Sequence, residues 1–361
     1  MSGTVSGRIL SGVQPSGKLH LGNYFGAIRQ HIALQDQGDA FYFIADYHAL
    51  TTLKEAEARE AEAAARAGRK PAKSAREILA ENVLDVALDY LALGLDPTKA
   101  TFYRQSDVPE VTELAWMLAT VSGMGLLERA HSYKDKLAQG ITPSVGLFTY
   151  PVLMAADILI VRARRVPVGK DQVQHLEMTR DMAGYFNRAY AEIFPEPREL
   201  LAEVPVVPGT DGRKMSKSYG NTIDIFAEGK ALKAAINSIV TQPIELGTPI
   251  DPETDHIFAL YKLFASDEEV EALAAQYRDP TRNADARNGR PFGYGDAKQM
   301  LQAKIDGCFG PARERRKALA AAPQQVEAIL REGASRARRE ARATMELVRA
   351  AVGLPRCPVG E

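Results

Sequence analysis

Residues Ser11 to Arg29 read Ser-Gly-Val-Gln-Pro-Ser-Gly-Lys-Leu-His-Leu-Gly-Asn-Tyr-Phe-Gly-Ala-Ile-Arg, and the order of turn and apolar residues in this stretch decides the fold. Upstream, Ile9-Leu10 is the end of a strand expected to stop at Ser11-Gly12. Downstream, an amphipathic helix opens near Leu21 to Asn23. Phe25, Ile28 and Ile32 fall on one stripe, Arg29, Gln30 and Asp36 lie opposite, and Gly38 is a stop signal. The pattern is strand, polar loop, helix. A helix start presents unpaired N–H groups and partial positive charge, so this junction favours an anion. His20-Leu21-Gly22-Asn23 adds a ring N–H donor, a glycine permitting close backbone approach and a carboxamide donor. These groups suit a polyphosphate passing over the helix start. Neither G-x-x-x-x-G-K-[ST] nor G-x-G-x-x-G occurs in the chain, so the two common phosphate fingerprints do not supply the site.

A second loop completes the pattern roughly 190 residues further on: Gly209-Thr210-Asp211-Gly212-Arg213-Lys214-Met215-Ser216-Lys217-Ser218. Lys214 and Lys217 stand three apart between glycines and hydroxyls, so both ammonium groups can reach one anionic ligand. Together, the first loop and Lys214 to Ser218 resemble the HIGH and KMSKS motifs of class I aminoacyl-tRNA synthetases.

At 361 residues and 39.4 kDa the chain is long enough for a large core and two domains. Apolar content of 45% and charged content of 25% are those of an ordinary globular protein. No apolar run approaches a membrane span and the N-terminus lacks a basic start with an apolar core, so a cytoplasmic location is expected, without membrane contact. Cys308 and Cys357 show no C-x-x-C spacing, which argues against a disulfide framework or a structural zinc. The net charge of −1 exerts no global pull on nucleic acid, so any RNA surface must be local. Ten basic residues (Arg313, Arg315, Arg316, Lys317, Arg331, Arg336, Arg338, Arg339, Arg342, Arg349) against five acidic ones between Pro311 and Ala350 form one candidate, with a solvated helix face as the alternative.

Phe41 to Ala45 is a continuous apolar run, the pattern of a strand buried on both faces of a parallel sheet, and it ends in Asp46-Tyr47-His48. His48 can line the ligand crevice at that strand's carboxyl end or be a core or capping histidine. Lys54 to Lys73 is almost wholly Ala, Glu, Arg and Lys without an apolar stripe, an exposed helix or an insertion. Ser74 and Glu77 form a capping box ahead of a helix that Gly94 ends, followed by a strand at Thr101 to Gln105. Pro109 opens the next helix, with Val111, Leu114, Ala115, Leu118 and Val121 on its apolar face and Trp116 beside it as a packing residue. Asp157 sits inside the apolar segment Met154 to Ile160, where an unpaired carboxylate would be costly, so it must have a partner, either an arginine or a ligand. Val166 to Gln172 is a strand, a loop and a helix start near Asp171. Gln172 and His175 share a side of that helix; His175 and Glu177 do not, and make no metal pair. Prolines between Asn187 and Pro208 mark a boundary, and from Ala227 onwards helical patterns dominate.

Gln14 to Tyr24, Leu153 to Leu159, Pro167 to Gln172 with His175 and Glu177, and Lys214 to Ser218 follow, in order, the pattern of bacterial tryptophanyl-tRNA synthetases, a resemblance over nearly the whole chain. It implies an α/β, Rossmann-like doubly wound parallel sheet with a C-terminal all-helical domain. In domains, it implies 1–205 as the catalytic part with about 105–140 as a dimer region, 206–226 as the lysine loop and linker, and 227–361 as a helical anticodon-binding domain. It also implies tRNA(Trp), L-tryptophan and a second copy of the chain as partners, ATP as a substrate, Mg²⁺ accompanying ATP, and no protein metal cage. The implied reaction is attack of the tryptophan carboxylate on the α-phosphate of ATP, then acyl transfer to the terminal ribose of tRNA. The catalytic set would be His20, Asn23, Lys214 and Lys217. ATP would meet Gln14, Pro15, Ser16, Gly22 and Asn23, then Gly169, Lys170, Asp171 and backbone near Val207, with Lys214, Met215, Ser216, Lys217 and Ser218 closing over the triphosphate. Tryptophan would meet Asp157, Met154, Gln172, His48, Val166 and Val168. The indole N–H is donor only, so the pocket needs a buried acceptor, and Asp157 fits that need.

The chain departs from the family pattern at Leu10, where many relatives carry an aromatic residue, at Tyr47, where glutamine is common, and in the length of Lys54 to Lys73. Tyrosyl-tRNA synthetase is the nearest rival. A HIGH-motif nucleotidyltransferase explains the first loop but neither the second nor the helical half, and a non-catalytic RNA-binding paralogue would have lost motif residues.

Overall fold

The computed structural model describes residues 7–68, 73–130, 133–134, 144–201 and 206–355. Five strands, β1 (Ile9–Val13), β2 (Ala40–Ile44), β3 (Ala100–Arg104), β4 (Arg165–Val168) and β5 (Arg198–Leu201), form one parallel sheet in the order β3-β2-β1-β4-β5. β1 and β2 run in register from Ile9 opposite Ala40 to Val13 opposite Ile44. The strand order reverses between β1 and β4, and in open α/β sheets ligands bind at the carboxyl ends of such a pair. The segments that begin at Gln14 and Gly169 leave the sheet there.

Every residue of β2 is buried, which is why its apolar run is continuous rather than alternating. β1 continues through Ser11 and Gly12 to Val13 instead of stopping at Ser11. Gly12 belongs to the strand because a Cβ there would come 2.4 Å from the Phe43 ring, so the glycine meets a packing demand rather than a turn. β3 ends one residue before Gln105, which instead opens the single turn Gln105–Asp107.

The chain divides into two compact units. The first comprises residues 1–17, 30–202 and 319–361 and holds the sheet, its flanking helices and a core that includes Leu10, Phe43, Tyr103, Leu114, Leu159 and Phe186. Its helix Ala75–Leu93 begins at the Ser74/Glu77 capping box, closed by bonds of 2.9 and 3.4 Å, and ends at Gly94 with φ 112°. Leu53–Arg66 is a helix in which only Ala64 is buried; residues 69–72 of the same stretch lie outside the described residues. The helix Glu110–Val121 buries Val111, Leu114 and Leu118, but Trp116 is 69% exposed and does not pack as expected. Two residues beyond Leu114, it is turned well away from the stripe that faces the core.

The helix Pro323–Val352, expected in the helical second half, belongs to the first unit and lies along β3. Its small residues explain this. A Cβ on Gly333 would fall 1.8 Å from the carbonyl oxygen of Phe102, so helix and edge strand meet backbone to backbone and the edge is covered. Arg104 holds Glu327 through two bonds of 2.9 Å, and Arg338 and Arg342 reach Glu110 at 2.9 and 3.2 Å. Arg336 donates to the Pro97 carbonyl and Arg349 pairs with Glu113. Much of the basic cluster read as a possible RNA surface thus pins this helix to its own unit.

The second unit comprises residues 18–29 and 203–318. It contains the helices Gly229–Asn237, His256–Tyr261, Asp267–Arg278 and most of Tyr294–Ala320. Leu21–Asn23 passes directly into the wider π-helical turn Tyr24–Ile28, which is held edge-to-face by Tyr24 on Phe309 (4.9 Å) and Phe25 on Phe264 (5.1 Å). Among the described residues no helix is long and apolar enough to cross a membrane.

Candidate active site

In the second unit, the helix start and the lysine loop come together. The His20 amide donates to Asn23 Oδ1 at 3.1 Å, so the asparagine carbonyl caps the helix and its amino group is left as the donor of the pair. Leu21 N donates to Ile223 O at 3.0 Å, Ile225 N donates to Leu19 O at 3.2 Å, and an antiparallel bridge pairs His20 with Asp224. These short links tie the first motif to the chain just beyond Lys214–Ser218. A Cβ on Gly22 would meet the His20 ring at 3.0 Å and Met215 at 3.5 Å, so the glycine leaves room for both.

His20 is 7% exposed and its Nδ1 is buried with no hydrogen-bond partner among the described residues. Burial first, and the charge of Lys217 second, hold its imidazole down to about 4. It is therefore neutral near pH 7, one ring nitrogen carrying hydrogen and the other bare. Lys214, Lys217 and Ser218 are exposed, whereas Met215 is buried and anchors the loop. Val207 O accepts from Met215 N at 2.9 Å, and Pro208 bridges Lys214. The turn between them closes at Gly212, whose φ is 82°.

In the first unit, a different set collects around Asp157, on the helix Val145–Ile160. Asp157 is 3% exposed. Gln105 Nε2 donates to both of its oxygens at 2.8 and 2.9 Å, and His48 Nε2 stands 2.9 Å from Oδ2. Its partners are therefore a histidine and an amide, not an arginine. Burial pushes the Asp157 carboxyl above the ordinary carboxylate range, while the bonds from His48 and Gln105 oppose that shift. A carboxylate has about four acceptor positions, so these contacts leave capacity for one more donor. His48 lies edge-on to Tyr150, 6.2 Å between ring centres, and the Tyr150 hydroxyl bonds His175 Nε2. Met154 lies one turn before Asp157, and Gln172 directly precedes the helix that carries His175. Val166 is buried in the core cluster and Val168 packs against it.

Gln14, with its side chain 3.3 Å from Thr52 Oγ1, is exposed with Ser16 beyond β1, and Pro15 between them is buried. Gly169, Lys170 and Asp171 are exposed beyond β4, where Asp171 accepts from Gln172 at 3.0 Å and a Cβ on Gly169 would meet the same carboxylate at 2.6 Å. Both segments leave the sheet at the switch point, as the topology requires. Sequence reasoning missed Gln105 and Tyr150. Gln105 carried a signal, since it is a polar residue just beyond the carboxyl end of β3; Tyr150, two residues from Phe148 in a largely apolar helix, carried none. Among the described residues no group of three or more His, Cys, Asp or Glu side chains could hold a metal ion.

The chain is similar to known proteins over nearly its whole length. The family described as tRNA synthetases class I (W and Y) matches residues 4–310. A tryptophan–tRNA ligase of Rhodopirellula baltica is 49% identical over 348 residues, covering 96% of this chain and 99% of that protein. One from Fusobacterium nucleatum is 48% identical over 350 residues, covering 96% and 98%. Among solved structures, a tryptophanyl-tRNA synthetase from Campylobacter jejuni complexed with ADP and tryptophan superimposes with a TM-score of 0.84 at 45% identity, covering 96% of this chain and 100% of that one.

Proposed function

The chain belongs to the class I tRNA synthetases of the tryptophan and tyrosine family, and from that premise we propose how its residues divide the work of a tryptophan–tRNA ligase. The reaction joins tryptophan to AMP with release of pyrophosphate, then passes the acyl group to the 3′-terminal adenosine of tRNA(Trp). The attacking carboxylate is already ionised at neutral pH, so activation needs no general base. What it needs is alignment of the carboxylate with the α-phosphate, and donors aimed at the charge that builds on the phosphates.

His20, kept neutral by burial, supplies an N–H to the phosphates beside the amino group of Asn23 and the helix start at Gly22. Lys214 and Lys217 meet the triphosphate from the exposed side of their loop, with Met215, Ser216 and Ser218 shaping it. Gln14, Pro15, Ser16, Gly169, Lys170, Asp171 and the backbone at Val207 hold the rest of ATP. Mg²⁺ would accompany ATP as part of that substrate and would supply positive charge to the triphosphate.

The likeness to tryptophan–tRNA ligases over nearly the whole chain is what supports tryptophan over tyrosine, and Asp157, a buried acceptor fixed on two sides by His48 and Gln105, is the group that takes the indole N–H. An indole N–H satisfies it by donating. A site built to bond such a group rejects ligands that leave it unpaired by large factors. Met154, Gln172, Val166 and Val168 complete the pocket. The helical segments beyond residue 227 take the anticodon arm, and the exposed Trp116 and Met124, 69% and 63% accessible, lie on the face that pairs two copies. The expected dimer region is described only in part, since residues 131–132 and 135–140 lie outside the described residues.

Pyrophosphate exchange into ATP, run with tryptophan, with tyrosine and with neither, tests the assignment. Exchange with tryptophan alone is expected. Exchange with tyrosine would move the chain to the sister specificity, and exchange with neither would remove the activity.

A further inference from the structure

Asn221 lies just downstream of the lysine loop and is 2% exposed. Its carboxamide turns back onto that loop with both the oxygen and the amino group engaged there. Oδ1 accepts from Ser216 N at 2.8 Å, while Nδ2 donates to Asp211 Oδ1 at 2.6 Å and to the Lys214 carbonyl at 3.2 Å. Its backbone carbonyl accepts from Thr210 N at 3.0 Å. An amide places an acceptor and two donors on one planar group, which is what joining an N–H, a carbonyl and a carboxylate requires. The packing reserves space for it: a Cβ on Gly209 would lie 2.2 Å from Asn221 Nδ2.

We infer that Asn221 is a positioning residue for the activation of tryptophan, fixing the backbone at Lys214 and Ser216 so that Lys214 and Lys217 are held beside His20. The inference rests on the reading of this loop as the triphosphate-binding element. Lys214 and Lys217 are exposed side chains on a short loop, and exposed long side chains lose precision unless their backbone is anchored. Met215 anchors the loop by burial and Asn221 anchors it by hydrogen bonds on either side of Met215. Asp211, also held by Arg213 at 2.6 Å, ties the amide to the far end of the same turn.

The test compares Asn221→Ala, Asn221→Asp and the exchanged pair Asp211→Asn/Asn221→Asp in the full-length enzyme. Three quantities are measured: single-turnover adenylate formation, KM for tryptophan, and acyl transfer to tRNA from preformed adenylate. Asn221→Ala is expected to slow adenylate formation on the order of ten- to a hundredfold while the other two stay at wild-type values. Asn221→Asp sets two carboxylates against each other, and protonating one of them restores a donor. Its deficit relative to wild type should shrink as pH falls from about 8 to about 6. The exchanged pair should recover part of the loss, because the donor then sits on residue 211. Gly209→Ala, which crowds the amide without removing it, should reproduce the defect of Asn221→Ala.

Wild-type adenylate formation in Asn221→Ala would overturn the inference. So would an equal loss in all three quantities, or no pH dependence in Asn221→Asp. Lys214→Ala and Lys217→Ala separate this from failure of the underlying reading. If those variants activate tryptophan normally, the loop does not serve ATP at all. If they are crippled and Asn221→Ala is not, only the role of Asn221 falls.

Discussion

His48 Nε2 lies 2.9 Å from Oδ2 of Asp157, joining two residues that stand 109 positions apart in the chain. The contact turns an acid on a hydrophobic helix into an oriented acceptor. Gln105 completes the arrangement from the end of β3, its Oε1 accepting from Tyr47 N at 3.1 Å while its amino group holds both Asp157 oxygens.

Replacing Asp157 by alanine leaves the buried Gln105 amino group and the half-buried His48 ring without their acceptor and removes the one proposed for the indole. The kcat/KM for tryptophan in pyrophosphate exchange should fall on the order of a hundredfold, with KM for ATP nearly unchanged. Tryptophan kinetics at the wild-type level would take Asp157 out of the pocket.

Lys214→Ala and Lys217→Ala should each slow adenylate formation by about two orders of magnitude or more, since each removes charge aimed at the phosphates. Rapid-quench measurement of a single turnover reads this directly, without the later acyl transfer. Rates near wild type in both variants would leave the loop without a catalytic part.

Acid should destabilise the fold through its buried histidines. Burial holds His31 at about 4, as it does His20, whereas in the unfolded chain both titrate near 6.5. Between those values the unfolded state binds more protons. The stabilisation is complete above about 6.5 and is lost as pH falls through the window towards 4. Urea midpoints should therefore drop between pH 7 and pH 5, and His31→Gln should flatten that slope. In NMR titration, Lys217→Ala should move the His20 midpoint upward, because one of the two causes of its depression is gone.

Two glycine substitutions on long helices should act in opposite directions. Gly333→Ala forces a methyl against the Phe102 carbonyl and should lower stability by about 2 kcal/mol or more, visible as a large fall in Tm. Gly307, with nothing within 4 Å of a Cβ, should gain up to about 1 kcal/mol on conversion to alanine. Equal effects at the two sites would mean that the helix Pro323–Val352 does not sit tightly on β3.

Local pattern was enough for the parallel sheet and the two motif loops. The unbroken apolar run of β2, the Ser74/Glu77 cap and the Gly94 stop are encoded within a few neighbouring residues, and each stands where it was expected. His20, Gly22, Asn23, Lys214 and Lys217 stood out as candidates from residue type and close spacing alone. Other features depended on residues distant in sequence. Gly12 looks like a turn until Phe43 is found beneath it, and Trp116 looks like core until its helix is rotated into place. The helix Pro323–Val352 has the composition of a solvated helix, and only its contact with β3 assigns it to the first unit. Gln105 and Asn221 are ordinary polar residues in the sequence. They gain their roles because burial leaves a polar group no alternative to the partner that folding brings within bonding distance, and the partners here lie on other segments of the chain.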